Sequence, residues 1–189
     1  QIMMFNGKAR TMSEVREEQK STTKIRCEKA TELASGKTSV YWCHFNDEGD
    51  LLQTLDKEAI QIKGGDSLEK KEDILMNFAN GSIKRLITKP KITSFGLNWQ
   101  HCNHTVYFPT WSYEQYYQAI RRFWRFGQTN KVTVDLVVSD GQERVLDALK
   151  YKTQKAIEFN KSIQSAINKA VNTDTNKEFN KALIIPSFI

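Results

Sequence analysis

The residues best suited to chemistry lie in one stretch at positions 112–128, which reads SYEQYYQAIRRFWRFGQ. Ser112, with a glutamine three residues later, resembles a capping box and predicts that a helix begins here. On such a helix Gln118, Arg122 and Arg125 share one face, because they stand at positions i, i+4 and i+7. Two arginines one turn apart suit a compact anion such as a triphosphate. The alternative is a solvated basic face with core aromatics behind it.

The segments that must position this stretch alternate in character along the chain. Short, nearly all-apolar segments predict strands that are buried on both faces, and segments with apolar residues at helical spacing predict helices. This alternation predicts an α/β fold in which helices cover both faces of a parallel sheet. The expected strands are 39–45, 59–63, 83–88, 105–108 and 132–138; the expected helices are 13–34, 47–55, 67–79, 112–126 and 141–170, with a helical or irregular turn at 92–97.

The composition of the chain indicates which kinds of partner and which cellular compartment are expected. A formal net charge of +6 favours a polyanion. No apolar run approaches the ~20 residues of a membrane span, so no membrane partner is expected. Three sparse cysteines fit free thiols in a reducing cytoplasm. The chain opens on Gln1 instead of methionine, which suggests an excised fragment.

The end of the arginine-bearing stretch, QAIRRFWRFGQ, resembles the sixth motif of superfamily-2 helicases of the Swi/Snf type, Gln-x-x-x-Arg-x-x-Arg-x-Gly-Gln. The resemblance implies that two of its arginines act as catalytic fingers on ATP bound to another lobe, and that Gln118 contributes to the cofactor site. Arg121 is an additional arginine without an assigned role. The positions that match the motif are Gln118, Arg122, Arg125, Gly127 and Gln128.

Residues 86–99, LITKPKITSFGLNW, resemble the fifth motif of the same family, Thr-Arg-Ala-Gly-Gly-x-Gly-Ile-Asn-Leu. Gly96 and Asn98 match it, and the resemblance implies that they belong to the cofactor site. Thr88 lies two residues farther from Gly96 than the family spacing. Residues 40–45 resemble the fourth motif, a strand that leads into the first helix of the lobe.

A nucleic-acid track is predicted from small and basic residues that follow two of the strands. Residues 62–78 resemble the Gly-Ser-Thr…Arg…Phe segment of the family, with Lys71 in place of the arginine. Lysines, hydroxyls and backbone groups grip phosphates without reading sequence. The alternative is a solvent-exposed loop whose lysines aid solubility. The expected nucleic-acid contacts are Gly64, Ser67, Lys89, Lys91, Thr93 and Ser94.

The resemblance covers roughly residues 38–150 and is strongest for phage-type Swi/Snf helicases. It implies a helical lead-in at 1–37, a RecA-like lobe at 38–140, and a C-terminal helix and tail at 141–189. The whole protein is then a DNA-dependent ATPase, a helicase or duplex translocase, in the cytoplasm of a bacterial or phage-infected cell. Its N-terminal RecA-like lobe would hold ATP and Mg²⁺, while this lobe, inactive alone, would bind DNA without sequence preference. The alternative is a non-catalytic RecA-like module that binds nucleic acid or protein.

Three further sequence features resemble an ATP-binding loop, a metal site and base-stacking residues, but the resemblance is weak in each case. Residues 36–38, Gly-Lys-Thr, resemble the end of an ATP-binding loop, but Thr31 stands where a glycine is required and a strand follows. The run HCNH at 101–104 matches no paired zinc-ligand spacing, so no metal site is expected. The four tryptophans are expected in the core, with Trp99 as the exception that could stack on a base.

Overall fold

The computed structural model describes residues 11–92 and 99–170. The chain divides into two compact units, Gln1–Leu149 and Lys150–Ile189. In the second unit the described residues are helical up to position 170. None of the described helices is long and apolar enough to cross a membrane.

The first unit is built on a sheet of five short strands. They are β1 (Ser39–Trp42), β2 (Ala59–Gln61), β3 (Arg85–Thr88), β4 (His104–Tyr107) and β5 (Thr133–Leu136). The strands lie in the order β2-β3-β1-β4-β5, and every neighbouring pair is parallel. The carboxyl ends of all five strands therefore lie at one edge of the sheet, where ligands of open α/β sheets bind.

Within the described residues, six helices and one 3₁₀ turn accompany the strands. They are α1 (Met12–Ser21), α2 (Thr23–Ala34), α3 (Asn46–Leu55), α4 (Leu68–Ala79), α5 (Tyr113–Ile120), the 3₁₀ turn (Asp140–Gln142) and α6 (Glu143–Ala170). Strands and helices alternate from β1 to β3 and again from β4 to β5. The turn expected at 92–97, between β3 and β4, lies almost wholly outside the described residues. The expected α/β fold with a parallel sheet and a C-terminal helix is confirmed.

Helices cover both faces of the sheet because successive strand residues point to opposite sides. Val40 and Trp42 of β1 join one buried cluster with the apolar sides of α4 and α5. Tyr41, between them, joins a second cluster on the other face with α2 and α3. Each face of the central strand is thus buried, which explains why β1 has no polar alternation.

The helix expected over 13–34 is two helices, because the chain turns at Thr22 between α1 and α2. The face that α2 buries consists of small residues, Cys27, Ala30 and Ala34, whereas Ile25 is 70% exposed. Small side chains allow the backbone of α2 to approach α3 closely. The apolar pattern in the sequence therefore understates how far α2 belongs to the core.

Several other elements are shorter than expected. The helix predicted over 112–126 ends at Ile120. The strand predicted over 132–138 spans only Thr133–Leu136, lies at the edge of the sheet and is partly exposed. Burial on both faces is expected of central strands, so the partial exposure of β5 follows from its place at the edge.

Candidate functional site

Residues 121–128, here called the arginine turn, follow α5 in an irregular path. The helix begins as predicted, since the Ser112 hydroxyl accepts a hydrogen bond from the Gln115 amide at 3.3 Å. After Ile120 the chain tightens into turns: the Arg122 amide donates to the Ala119 carbonyl at 3.3 Å. The prediction that Arg122 and Arg125 lie on one face of a continuing helix is therefore wrong.

Hydrogen bonds from a distant segment hold the arginine turn in this path. The Arg122 carbonyl accepts from the Trp99 amide at 3.1 Å. The Gln128 side-chain amide lies 3.0 Å from the Gln100 carbonyl and 3.3 Å from the Cys102 carbonyl. Gly127 has a φ of +93°, a conformation that favours glycine. These contacts replace the helical bonds that the sequence alone predicts.

Arg122 and Arg125 nevertheless come together on this turn. The Arg122 side chain is buried, and its guanidinium lies 5.5 Å from the centre of the Trp99 ring, a cation–π contact. Burial lowers the pKa of Arg122, and the positive charge of Arg125 lowers it further. Arg125 is exposed, and its Nε donates to the Arg121 carbonyl at 3.2 Å. The turn thus presents two neighbouring cations, one of them desolvated.

Trp99 is a core residue, so the idea that it stacks on a base is wrong. Its side chain is fully buried. The centre of its ring lies 5.3 Å from that of the Phe78 ring and 5.7 Å from that of the Trp42 ring. The ring instead supports Arg122. The sequence gives no sign of this role, because it depends on a contact between two segments that are 23 residues apart.

The remaining predicted cofactor residues are only partly placed. Gln118 lies on the exposed side of α5, where its Nε2 donates to Glu114 Oε1 at 3.1 Å. Gly96 and Asn98 lie outside the described residues. Arg121, which had no predicted role, is ordered against Tyr117: its Nη1 donates to the tyrosine hydroxyl at 2.8 Å.

The predicted nucleic-acid residues that the structure describes fall on a surface that we call the carboxyl-end surface. It consists of residues 43–46, 62–67 and 89–92, which follow β1, β2 and β3. These strands are neighbours in the sheet, so the three segments are neighbours at its carboxyl edge. The predicted residues of this surface take different local positions. Gly64, Ser67 and Lys91 are exposed, Lys89 is half-buried, and Thr93 and Ser94 lie outside the described residues.

Local contacts on this surface orient several of its groups. The Lys89 ammonium donates to Asn46 Oδ1 at 2.6 Å, which links the segments after β3 and β1. The Lys71 ammonium donates to the Gly64 carbonyl at 2.7 Å. Ser67 caps α4 by accepting from the Lys70 amide. The start of α4 is thus an exposed helix N-terminus with a hydroxyl and two lysines. It also carries carboxylates, because Glu69 lies in its first turn and Asp66 pairs with Lys70 at 2.7 Å.

The start of α3, by contrast, is already occupied by a carboxylate of the protein. Glu48 is buried, and its Oε2 accepts from the His44 and Phe45 amides at 2.8 and 3.0 Å. Its Oε1 lies 2.9 Å from a guanidinium nitrogen of buried Arg26. A helix N-terminus is a ready anion site, but this one is neutralised internally. The start of α3 is therefore closed to an external anion.

Buried polar atoms without a hydrogen-bond partner mark the same edge. Among the described residues they include the side-chain atoms Trp42 Nε1, Gln61 Oε1 and Thr88 Oγ1, from the last residues of β1, β2 and β3, and His44 Nε2. Such groups are uncommon in folded proteins. Burial lowers the pKa of His44 to about 4, so its ring is neutral at pH 7.

The run at 101–104 serves the packing of the sheet. His101 packs against Phe78 with 4.9 Å between ring centres, and burial raises the pKa of the Cys102 thiol to about 12. His104 bridges the Ser39 hydroxyl and Asp135, each at 2.8 Å. Within residues 11–92 and 99–170, no three or more His, Cys, Asp or Glu side chains group as metal ligands.

The chain is similar to a curated protein and to solved structures of other proteins. DNA repair protein RAD5 of Yarrowia lipolytica is 32% identical over 135 residues, which is 68% of this chain and 13% of that protein. The chain therefore spans a small part of this relative. The C-terminal part of the Fun30 ATPase domain matches with a TM-score of 0.56 at 18% identity, over 66% of this chain and 43% of that one.

The second structure is the C-terminal domain of the DEAD-box protein Dbp5, with a TM-score of 0.55 at 17% identity, over 70% of this chain and 79% of that one. The two structures confirm the predicted RecA-like fold. The resemblance to phage-type members receives no support from these relatives. Residues 18–127 match the family described as "Helicase conserved C-terminal domain". Since this match covers more than half of the 189 residues, the chain belongs to that family.

Proposed function

We propose that this chain is the second motor lobe of a Swi/Snf-type, DNA-dependent ATPase. Arg122 and Arg125 act as arginine fingers on ATP and Mg²⁺ that an N-terminal RecA-like lobe holds. The observation that carries the proposal is the pairing of these two arginines on the arginine turn, with the Arg122 guanidinium buried over Trp99.

The electrostatics of the turn suit a charge that grows during a reaction. Burial and the neighbouring Arg125 both destabilise the cation of Arg122, as the lowered pKa of Arg122 reflects. Negative charge on a transferring phosphoryl group relieves both effects, so the interaction strengthens toward the transition state. Gly127 and Gln128 hold the turn in place beforehand, which reduces the reorganisation that catalysis requires.

The carboxyl-end surface supplies the DNA side of the proposal. Gly64, Ser67, Lys89 and Lys91 lie on it, and the proposal extends to Thr93 and Ser94, which follow in the chain. Exposed lysines and a helix start grip phosphates without reading bases. Binding is therefore expected to be independent of sequence and sensitive to salt.

The lobe alone is proposed to be inactive. Residues 36–38 lie directly before β1, so their Gly-Lys-Thr sequence does not join a strand to a following helix as a phosphate-binding loop does. Calorimetry on the isolated chain is expected to show no ATP binding in the micromolar range. Micromolar affinity would contradict the assignment of ATP to the other lobe.

The decisive experiment uses a protein that carries this chain together with the ATP-binding lobe. Arg122→Ala and Arg125→Ala are expected to lower turnover by about 10³-fold or more, with ATP affinity nearly unchanged. Lysine is expected to rescue poorly, because an ammonium cannot reproduce the planar fork. Arg144→Ala, which removes an exposed arginine of α6, serves as the control.

Each variant is first checked for native folding by circular dichroism. Because Arg125 is exposed, its replacement gives a test that does not depend on core packing. Full turnover in both folded variants would refute the finger assignment. DNA binding by a protein with no ATPase activity in any form would favour the non-catalytic module.

A further inference from the structure

An ordered stack of side chains, partly buried at Tyr113 and exposed at Tyr117 and Arg121, runs along α5 toward the arginine turn. The rings of Tyr113 and Tyr117 lie 5.8 Å apart at an interplanar angle of 30°. The Arg121 guanidinium lies 5.5 Å from the centre of the Tyr117 ring and bonds to its hydroxyl. Tyr113 and Tyr117 stand at i and i+4 on α5 and share one side of the helix. Arg121, which directly follows the helix, stands four residues after Tyr117 and extends the stack.

Tyr113 packs against the core, but the outer part of the stack, Tyr117 and Arg121, contributes little that the fold requires. Tyr117 is 38% exposed and Arg121 is exposed as well. A cation–π pair at an exposed site contributes little to stability, and ordering a long arginine side chain costs a comparable amount of conformational entropy. What the stack provides is a flat π surface that is already ordered, which is what a stacking base needs.

The position of the stack connects it to the arginine turn. Arg121 directly precedes Arg122, and the Arg125 Nε donates to the Arg121 carbonyl. Tyr117 lies one turn earlier on α5, about 6 Å along the helix axis. A nucleotide whose phosphates meet Arg122 and Arg125 can therefore direct its base along α5. The charge of Arg121 suits an anionic ligand, while nearby Glu114 is hydrogen-bonded to Gln118.

We propose that Tyr117 and Arg121 form a stacking platform for the base of the nucleotide whose phosphates meet the arginine turn. The ligand class is a purine nucleoside triphosphate, because the larger π face of a purine gains more from stacking than that of a pyrimidine. This inference rests on the proposed function: it adds base selection to the site where the arginines act on phosphate.

A stacking contact is made equally in the ground state and the transition state, so its loss raises KM and leaves kcat unchanged. In the two-lobed protein, Tyr117→Ala is expected to raise the KM for ATP about tenfold, within the range for base–aromatic stacking. Arg121→Ala is expected to raise it a few-fold, again without loss of kcat. Tyr117→Phe keeps the ring and is expected to retain the parent KM.

Selectivity between nucleotide bases tests the platform directly, because a purely structural role of Tyr117 would not change it. The ratio of kcat/KM for ATP to that for CTP is expected to fall toward one in Tyr117→Ala and to persist in Tyr117→Phe. Tyr151→Ala is the matched control, since Tyr151 is an exposed tyrosine of α6 whose ring lies 5.9 Å from the Lys155 ammonium. It is expected to change neither quantity.

The outcomes separate this inference from the proposed function. If Tyr117→Ala leaves the KM and the ATP/CTP ratio within twofold of the parent, the platform assignment is wrong, even where Arg122→Ala abolishes turnover. A loss of affinity for single-stranded DNA with unchanged KM would instead assign the platform to DNA bases and overturn the inference. A fall in kcat with unchanged KM would overturn it too.

Discussion

The carboxyl-end surface and the arginine turn are held in place by different means. The first consists of short segments between regular strands and helices, anchored by the buried pair of Arg26 and Glu48. The second has no regular secondary structure. It is anchored by Gln128, whose side-chain amide donates hydrogen bonds to carbonyls up to 28 residues earlier in the chain. The sheet therefore determines the geometry of the carboxyl-end surface, whereas hydrogen bonds between distant segments determine the geometry of the arginine turn.

This difference indicates how each region should respond to substitution. On the carboxyl-end surface, functional groups are separate from the buried pair that fixes them, so stability and DNA binding should change independently. On the arginine turn, Arg122 is both a proposed functional group and part of the packing over Trp99. The following predictions test this contrast, beginning with the largest effect.

Removal of the buried carboxylate under the carboxyl-end surface should have the largest effect on stability. Glu48→Ala leaves the buried Arg26 cation and two amides without their acceptor, and is expected to cost about 3–5 kcal/mol of unfolding free energy. Urea denaturation of the isolated chain measures it. Glu32→Ala, which breaks an exposed pair with Lys29, is the control and should cost less than about 1 kcal/mol. Equal costs would show that the buried pair does not anchor this surface.

The second prediction concerns the pH dependence that His44 confers on the same region. Its folded pKa of about 4 lies below the unfolded value of about 6.5, because burial outweighs the attraction of Glu48 and is reinforced by Lys89 and Arg26. As pH falls below 6.5, the unfolded chain binds a proton that the folded chain does not. Stability is therefore lost between pH 6.5 and 4, by about 2 kcal/mol at pH 5.

His44→Gln should remove this part of the acid-side loss. The measurement compares unfolding free energies of the parent and the variant at pH 7.5 and pH 5. Burial also lowers the pKa values of His101 and His104, but these histidines are present in both proteins, so their contribution cancels. If the parent and the variant lose the same unfolding free energy between pH 7.5 and pH 5, then His44 does not titrate as the structure indicates.

A third prediction compares one glycine from each region. Gly127 has a φ of +93°, and a Cβ there would lie 2.9 Å from Gln100 Nε2. Gly127→Ala is expected to cost about 1–2 kcal/mol. Gly64 lies outside the positive-φ region and has open space around it, so Gly64→Ala should be neutral or stabilise by up to about 1 kcal/mol. A similar cost at both positions would remove the contrast in how the two regions are held.

Much of the fold follows from the sequence because its determinants are local. Apolar runs locate the strands, and the order of strands and helices predicts the parallel sheet. The end of α5 does not follow, since the helical pattern continues to position 126 while contacts from residues 99–102 stop the helix at Ile120. The role of α2 is hidden for another reason: the small residues that it buries give little apolar signal.

The candidate sites likewise contain some features that the sequence predicts and others that it does not. The motif resemblance identifies Arg122 and Arg125, and the structure places them together on one turn by a path that helical spacing does not predict. The contribution of Trp99 beneath Arg122 and of Glu48 beneath the carboxyl-end surface needs contacts between distant segments. Pairwise spacing along one helix or strand carries no information about such contacts.

The smallest expected effects concern individual lysines of the carboxyl-end surface in DNA binding. Each phosphate contact contributes about one unit to the slope of log affinity against log salt, so Lys91→Ala should lower that slope by about 1 and weaken binding a few-fold. Lys89→Ala should act similarly, unless Asn46 keeps the Lys89 ammonium from the phosphate. Fluorescence anisotropy with two unrelated duplexes over a salt series measures both variants on the isolated chain.

Two controls make this last test discriminate between the regions. Lys29→Ala removes an exposed lysine of α2 that pairs with Glu32, and it should leave the slope unchanged. Arg125→Ala should leave it unchanged as well, because the proposal assigns the arginine turn to nucleotide phosphate and the carboxyl-end surface to DNA. If Arg125→Ala lowers the slope as much as Lys91→Ala, DNA extends over both regions and their separation in function is wrong. Affinity that ignores salt, or that differs strongly between the two duplexes, would show that the carboxyl-end lysines do not act through phosphate.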